Sequence, residues 1–229
     1  MDFLRNIDIG LVAIQFAVLL FSLSIHEAAH AWMADRCGDY TARYLGRVTL
    51  NPVPHIDPIG TVLFPLLQLF TSFPLIGWAK PVPVNPVHLR NQSRDHMLIS
   101  AAGPGANLVA GGVAFLLMVI LKLFSPEARM VIYGMVSQRV IPGDESMLIP
   151  LLVILHYAMI INFALAIFNL IPIPPLDGHW ILLNCLPNNA AAAFERIGSF
   201  GFLLIYALMF TPVFQFVFVP VRLIESALL

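Results

Sequence analysis

The chain has 229 residues, 59% hydrophobic and 11% charged, with a mean hydropathy of +0.85 and a formal net charge of −1. Soluble domains carry about 25% charged residues, so a water-soluble fold is excluded and lipid is the expected solvent. The near-neutral charge excludes nucleic acid as a partner, and Cys37 and Cys185 fit neither a disulfide framework nor a cysteine-based metal spacing.

A spanning helix needs about 20 mostly apolar residues. The first candidate runs from Ile9 to Ala34, too long for a signal peptide. A polar connection follows from Asp35 to Asp57, and within it Tyr44–Leu50 (YLGRVTL) has the β-branched content of a short strand. The second apolar run, Ile59–Ile76, is short and contains Pro65 and Pro74, which suits a tilted or re-entrant helix. Gly77–Pro86 (GWAKPVPVNP) has alternating prolines that exclude helix and favour an extended or polyproline-like segment. The third span is Met97–Phe124, followed by a polar loop at Ser125–Met147. The fourth, Leu148–Ile171, ends in a proline-rich break, IPIPPLDG. A half-length apolar stretch, Trp180–Leu186, precedes the last span, Ile197–Ile224, expected to bend near Pro212. These elements predict one domain over residues 1–229: an all-α polytopic membrane protein of about six transmembrane or half-spanning helices, with short β segments in the membrane-proximal loops. The connections carry Arg36, Arg43 and Arg47, then Lys80, Arg90 and Arg94, then Lys122, Arg129 and Arg139, so charge counting does not orient the chain.

Ionisable residues inside a span are costly and mark function. The first span holds three, in the string His26-Glu27-Ala28-Ala29-His30. Residues four apart share a helix face, so His26 and His30 can offer imidazole nitrogens to one metal ion, and Glu27 can reach an attacking water as general base. A catalytic zinc site takes three protein ligands. Asp177 is the best candidate for the third, because it follows the proline-broken end of the fourth span and Gly178 lets the chain turn beside it. The competing role for Asp177 is a helix N-cap. Zn²⁺ with Asp177 and Glu27 ionised sums to zero charge, which is tolerable at membrane depth.

These residues resemble the site-2 proteases, a family of intramembrane zinc metalloproteases. HEAAH at 26–30 is similar to the family's first motif and NLIPIPPLDG at 169–178 to its second, with GWAKPVPVN at 77–85 and GPGAN at 103–107 similar to intervening signatures. The resemblance covers roughly residues 20 to 185, and the chain looks like a minimal form without PDZ or CBS domains. It implies His26, His30 and Asp177 as zinc ligands and Glu27 as the catalytic base. It also places Asn107 and Asn169 close to the active site. There Asn107 would hydrogen-bond an oxyanion or the substrate backbone, or else serve as a helix-packing amide beside small residues, and Asn169 would cap the fourth helix or orient Asp177. His179 is expected to support the site from behind, His55 to be structural at the interface and His156 to be a packed helix residue. The partners implied are transmembrane protein substrates and the lipid bilayer, with homo-oligomerisation left open. The location implied is the plasma membrane of a prokaryote, as a multi-pass protein. Two other readings compete: a polytopic zinc peptidase of the kind that trims prenylated proteins, and a metal-binding or transport protein without protease activity, which would have no need of Glu27.

Overall fold

The computed structural model describes residues 8–70, 77–137, 148–198 and 200–229. Helix α1 (Ile9–Cys37) starts at Asp8, whose side chain accepts the Leu11 N–H, and stops at Gly38, which takes a left-handed φ of 106°. Helix α2 is the single turn Thr41–Tyr44, and α3 is Phe64–Phe70, preceded by a π-helical turn at Pro58–Leu63. Helices α4 (Gln92–Phe124), α5 (Pro126–Val136) and α6 (Leu148–Asn169) follow. The remainder is α7 (Asp177–Cys185), α8 (Asn188–Gly198), α9 (Gly201–Met209), α10 (Pro212–Val217) and α11 (Val219–Ser226).

Helices α1, α4 and α6 are long and apolar enough to cross a membrane. At about 1.5 Å per residue the shortest of them still exceeds a hydrocarbon core of about 30 Å. Helix α4 lies between the other two and runs antiparallel to both: His30 meets Ile99 and His26 meets Asn107, while Asn107 also meets Asn162 of α6. The C-terminal ends of α1 and α6 therefore sit at the same end of the bundle as the start of α4. Away from that end the core is apolar, with Met118, Ile132, Leu152 and Met159 fully buried.

Several expectations are corrected. Of the six or so transmembrane or half-spanning helices expected, three are full spans among the described residues, or four if α8 and α9 form one broken span. The second apolar run yields only α3 and its preceding turn; residues 71–76 of that run lie outside the described residues. The last run breaks into α9, α10 and α11, because Pro212 and Pro220 each open a new short helix rather than continue one. The expected β segments are not formed: among the described residues there is no strand. Tyr44–Leu50 turns instead, with Gly46 at a left-handed φ of 67° and the Arg47 N–H folded back onto the Ala42 carbonyl at 2.9 Å. The start of the expected 125–147 loop is helical in α5. Ser125 caps the Ala128 N–H, Pro126 occupies the first turn, and Val131 and Ile132 reach the core. Residues 138–147 of that loop lie outside the described residues.

Gly77–Asn85 is neither helix nor strand, yet it is tied down at alternate residues as an extended chain is. The Trp78 N–H donates to Gly60 O (3.2 Å), the Lys80 N–H to His55 O (2.9 Å) and the Val82 N–H to Glu27 Oε2 (3.1 Å). Asp39, fully buried just beyond α1, anchors the far end of this segment. It accepts from the Thr41 N–H and hydroxyl, from the Asn85 N–H at 2.7 Å and from His88 Nδ1 at 3.1 Å. Burial pushes its carboxyl up, but those hydrogen bonds outweigh burial and hold it below the ordinary carboxylate range.

Candidate metal centre

His26 and His30 project from one face of α1, and Asp177 opens α7 where the chain turns back after α6. The His26 and His30 Nε2 atoms lie 3.0 Å apart, and the Asp177 Oδ atoms lie 3.0 Å from His26 Nε2 and 3.3 Å from His30 Nε2. Four ligand atoms around zinc at ordinary bond lengths are about 3.3 Å from one another, so the three donors are spaced as tetrahedral zinc ligands are.

The protons settle what such a cluster needs. His30 Nδ1 lies 2.7 Å from the Ile99 carbonyl, an acceptor only, so Nδ1 carries a proton and, in the neutral ring, Nε2 is bare. His26 Nδ1 lies 2.6 Å from Asn107 Oδ1. The Asn107 amide is oriented by donation from Nδ2 to the Ser22 carbonyl (3.1 Å) and to Asn162 Oδ1 (2.7 Å), so Oδ1 is an acceptor and His26 Nε2 is bare too. Two lone pairs and a carboxylate thus face one another. Asp177 Oδ2 is fully buried and accepts no hydrogen bond, although His26 Nε2 is near. With both imidazoles neutral, three convergent acceptors fit a cation, and the nitrogen and oxygen donor set suits zinc.

The local sequence explains the convergence. A Cβ at Gly103 would sit 2.4 Å from His30 Nε2 and 2.7 Å from His26 Cε1, so only glycine lets α4 approach the pair. Pro104 has no N–H to give the Ser100 carbonyl, which loosens α4 beside Ile99. At Gly178 a Cβ would sit 2.2 Å from the Leu170 carbonyl oxygen, so the return after α6 closes tightly enough to bring Asp177 back to α1.

Glu27 is buried and borders, with both histidines and Asp177, a cavity of about 620 Å³. Its apolar walls include Trp78, Val82, Leu165, Phe168, Trp180 and Ile205. Counting back from Cys37 at about 1.5 Å per residue, His30 and His26 lie about 10 and 16 Å below the end of α1.

A family model described as Peptidase family M50 matches residues 14–211. The chain belongs to this family, the site-2 proteases. Two relatives carry the name "Putative zinc metalloprotease". YwhC of Bacillus subtilis strain 168 is 33% identical over 220 residues, 96% of this chain and 90% of that one. Rip2 of Mycolicibacterium smegmatis is 28% identical over 207 residues, 89% of this chain and 69% of that one. No solved structure matches. Site-2 proteases are zinc-dependent, in keeping with the donor set above.

The other expected residues fall in different places. Asn107, at 0% exposure, lies behind His26 with its carboxamide wholly engaged. Asn169 ends α6 and borders the cavity, its Nδ2 on the Leu165 carbonyl at 2.9 Å. His179 is buried with its ring stacked on Phe194 at 5.3 Å; besides Asp177, the residue of α7 that reaches the cavity is Trp180. His55 is buried under the 77–85 segment with Nε2 on the Thr49 carbonyl. His156 pairs with Glu225 of α11 at 2.9 Å. Sequence reasoning missed Asn162, which ties α6 to Asn107 and to the Ser22 hydroxyl. The signal was present, because Asn162 is an amide in the middle of a span, where polar side chains are costly.

Proposed function

We propose that this metalloprotease cuts transmembrane segments of other proteins within the bilayer, with zinc held by His26, His30 and Asp177 and with Glu27 as general base. What supports this reading is one observation: a buried carboxylate that shares an apolar cavity with three convergent side chains able to hold a metal, set about 10–16 Å below the end of a spanning helix. Bound zinc supplies a Lewis acid that polarises a carbonyl and makes water a nucleophile near neutral pH. The carboxylate of Glu27 takes the proton from the attacking water and passes it to the departing amine. Asn107 and the Ile99 carbonyl hold the two imidazoles in the tautomer that keeps Nε2 free. The cavity walls exclude bulk water and accept apolar side chains. A scissile peptide bond in an intact helix is shielded by its own hydrogen bonds, so substrate must enter locally unwound.

The test is Glu27→Gln in the purified chain, with a transmembrane substrate in liposomes. The substitution leaves the three donors in place and removes the base. We expect zinc content near that of the wild type and cleavage reduced at least about 100-fold. Substantial cleavage by Glu27→Gln would remove Glu27 from the mechanism. Wild-type activity confined to soluble unfolded peptides would remove the bilayer from the substrate description.

A further inference from the structure

The segment that borders the cavity reads Lys80-Pro81-Val82-Pro83-Val84. Proline has no N–H. Across residues 81–83 the backbone therefore offers one donor, at Val82, and that donor is the one that meets Glu27 Oε2. A slip of one residue in either direction would set a proline nitrogen against the carboxylate. Glu27 would then lose its partner and the geometry that partner imposes, so the register of this segment matters to the base.

Arg47 is placed to fix that register. It is 5% exposed although it carries a full charge. Its Nη2 donates to the Lys80 carbonyl and, at 3.2 Å, to the Pro81 carbonyl, the second of which shares a peptide unit with the Val82 N–H. Its own backbone is pinned, with the N–H on the Ala42 carbonyl after the left-handed turn at Gly46. Burial works against the guanidinium charge and the field of Glu27 works for it. A terminal nitrogen with two N–H groups that reaches two successive carbonyls resists sliding in a way a bond to one carbonyl does not.

We propose that Arg47 is a positioning residue for catalysis: by clamping the Lys80 and Pro81 carbonyls it holds the Val82 N–H on the Glu27 carboxylate. The inference rests on Glu27 being the base, as proposed above. Arg47 touches neither substrate nor metal in this role and acts only through the backbone of residues 80–82.

The test is a double-mutant cycle on the full chain in liposomes, with Glu27→Gln as blank. Arg47→Met removes the clamp. Val82→Pro removes the donor in a stretch already suited to proline, and Val82→Ala trims the side chain but keeps the N–H. We expect Arg47→Met and Val82→Pro each to lower kcat about 10- to 100-fold with little change in KM, since a misplacement of about 1 Å can cost that much. Zinc per chain should stay at the wild-type level. The combined variant should be no slower than the slower single variant, because both remove one interaction. Arg47→Lys should recover part of the loss. Independent, multiplicative effects would overturn the proposal, as would an effect on KM alone or loss of zinc with Arg47→Met. If Arg47→Met does not fold, Val82→Pro against Val82→Ala still decides: equal rates overturn the inference. Cleavage retained by Glu27→Gln overturns both this proposal and the function it rests on. Cleavage lost in Glu27→Gln but normal in Arg47→Met and Val82→Pro overturns this one alone.

Discussion

Gly103 faces His30 across the α1–α4 contact so closely that a single added methyl would fall 2.4 Å from the imidazole Nε2. Gly103→Ala should therefore separate two quantities that usually move together. In a helix interior, alanine is favoured over glycine by about 1 kcal/mol. The same methyl must displace a metal donor. The expected outcome is a zinc affinity reduced at least about 10-fold while helix content is retained, read by competition with a chelator and by circular dichroism. Wild-type affinity in Gly103→Ala would mean that α4 can back away from the histidines at no cost.

Asn162 and Ser22 lie two steps from the donors, yet they set the direction of the Asn107 amide and through it the tautomer of His26. Asn162→Leu should weaken zinc binding about 10- to 100-fold, the usual range for groups that orient a ligand. With cobalt substituted for zinc, the visible spectrum should also change, because the geometry at the metal changes. A spectrum and affinity identical to wild type would confine Asn162 to helix packing.

The cluster proposed to hold the metal, and the carboxylate proposed as base, could be picked out in the sequence because their chemistry is local. HEAAH puts two imidazoles and a carboxylate on one helix turn whatever surrounds them, and Asp177 is marked by the break before it. Asn107 and Asn169 were legible as polar residues near the site. Their hydrogen bonds were not, because these depend on how three helices pack. The absence of the expected strands among the described residues has a different cause. Tyr44–Leu50 has strand-forming residues but no partner to pair with, and its backbone bonds close locally at Gly46. The 77–85 segment is extended, as its prolines require, but Thr61, His55, Arg47, Glu27 and Asp39 take its hydrogen bonds in place of a neighbouring strand.

Asp39 gives a pH-dependent prediction. Its carboxyl is held below the ordinary range by hydrogen bonds formed only in the folded chain. Its stabilisation is therefore fully present above the unfolded pKa of about 3.9 and is lost as the pH falls through the lower folded value. Asp39→Asn should unfold at lower temperature than wild type at pH 6, by the equivalent of about 1–3 kcal/mol. The gap should narrow towards pH 3. Comparing the two proteins at each pH cancels loss of metal in acid, which affects both. A gap independent of pH would assign Asp39 a neutral packing role.

The fold groups the charged connections in a way that yields a prediction of orientation. The second apolar run does not yield a full span among the described residues, so the two connections at 35–57 and 77–91 lie at the same end of the bundle. That end carries Arg36, Arg43, Arg47, Lys80, Arg90 and Arg94, whereas the described residues at the opposite end offer Lys122, Arg129 and Arg222. The excess of Lys and Arg should face the cytoplasm. A cysteine placed at Tyr44, which is 84% exposed, should react with an impermeant maleimide only after the cells are opened. Labelling in intact cells would invert the topology.

The donors of the metal centre come from the first and the seventh helix, and α4, which braces both histidines, is made between them. During synthesis the chain carries its base and two imidazoles into the membrane long before Asp177 exists. A half-made copy cannot complete the centre, and zinc cannot be held by all three donors until α6 has inserted and the chain has doubled back. On the proposed assignment, hydrolytic power would arrive late in biogenesis, and loading with metal would report that the membrane part has been assembled in order.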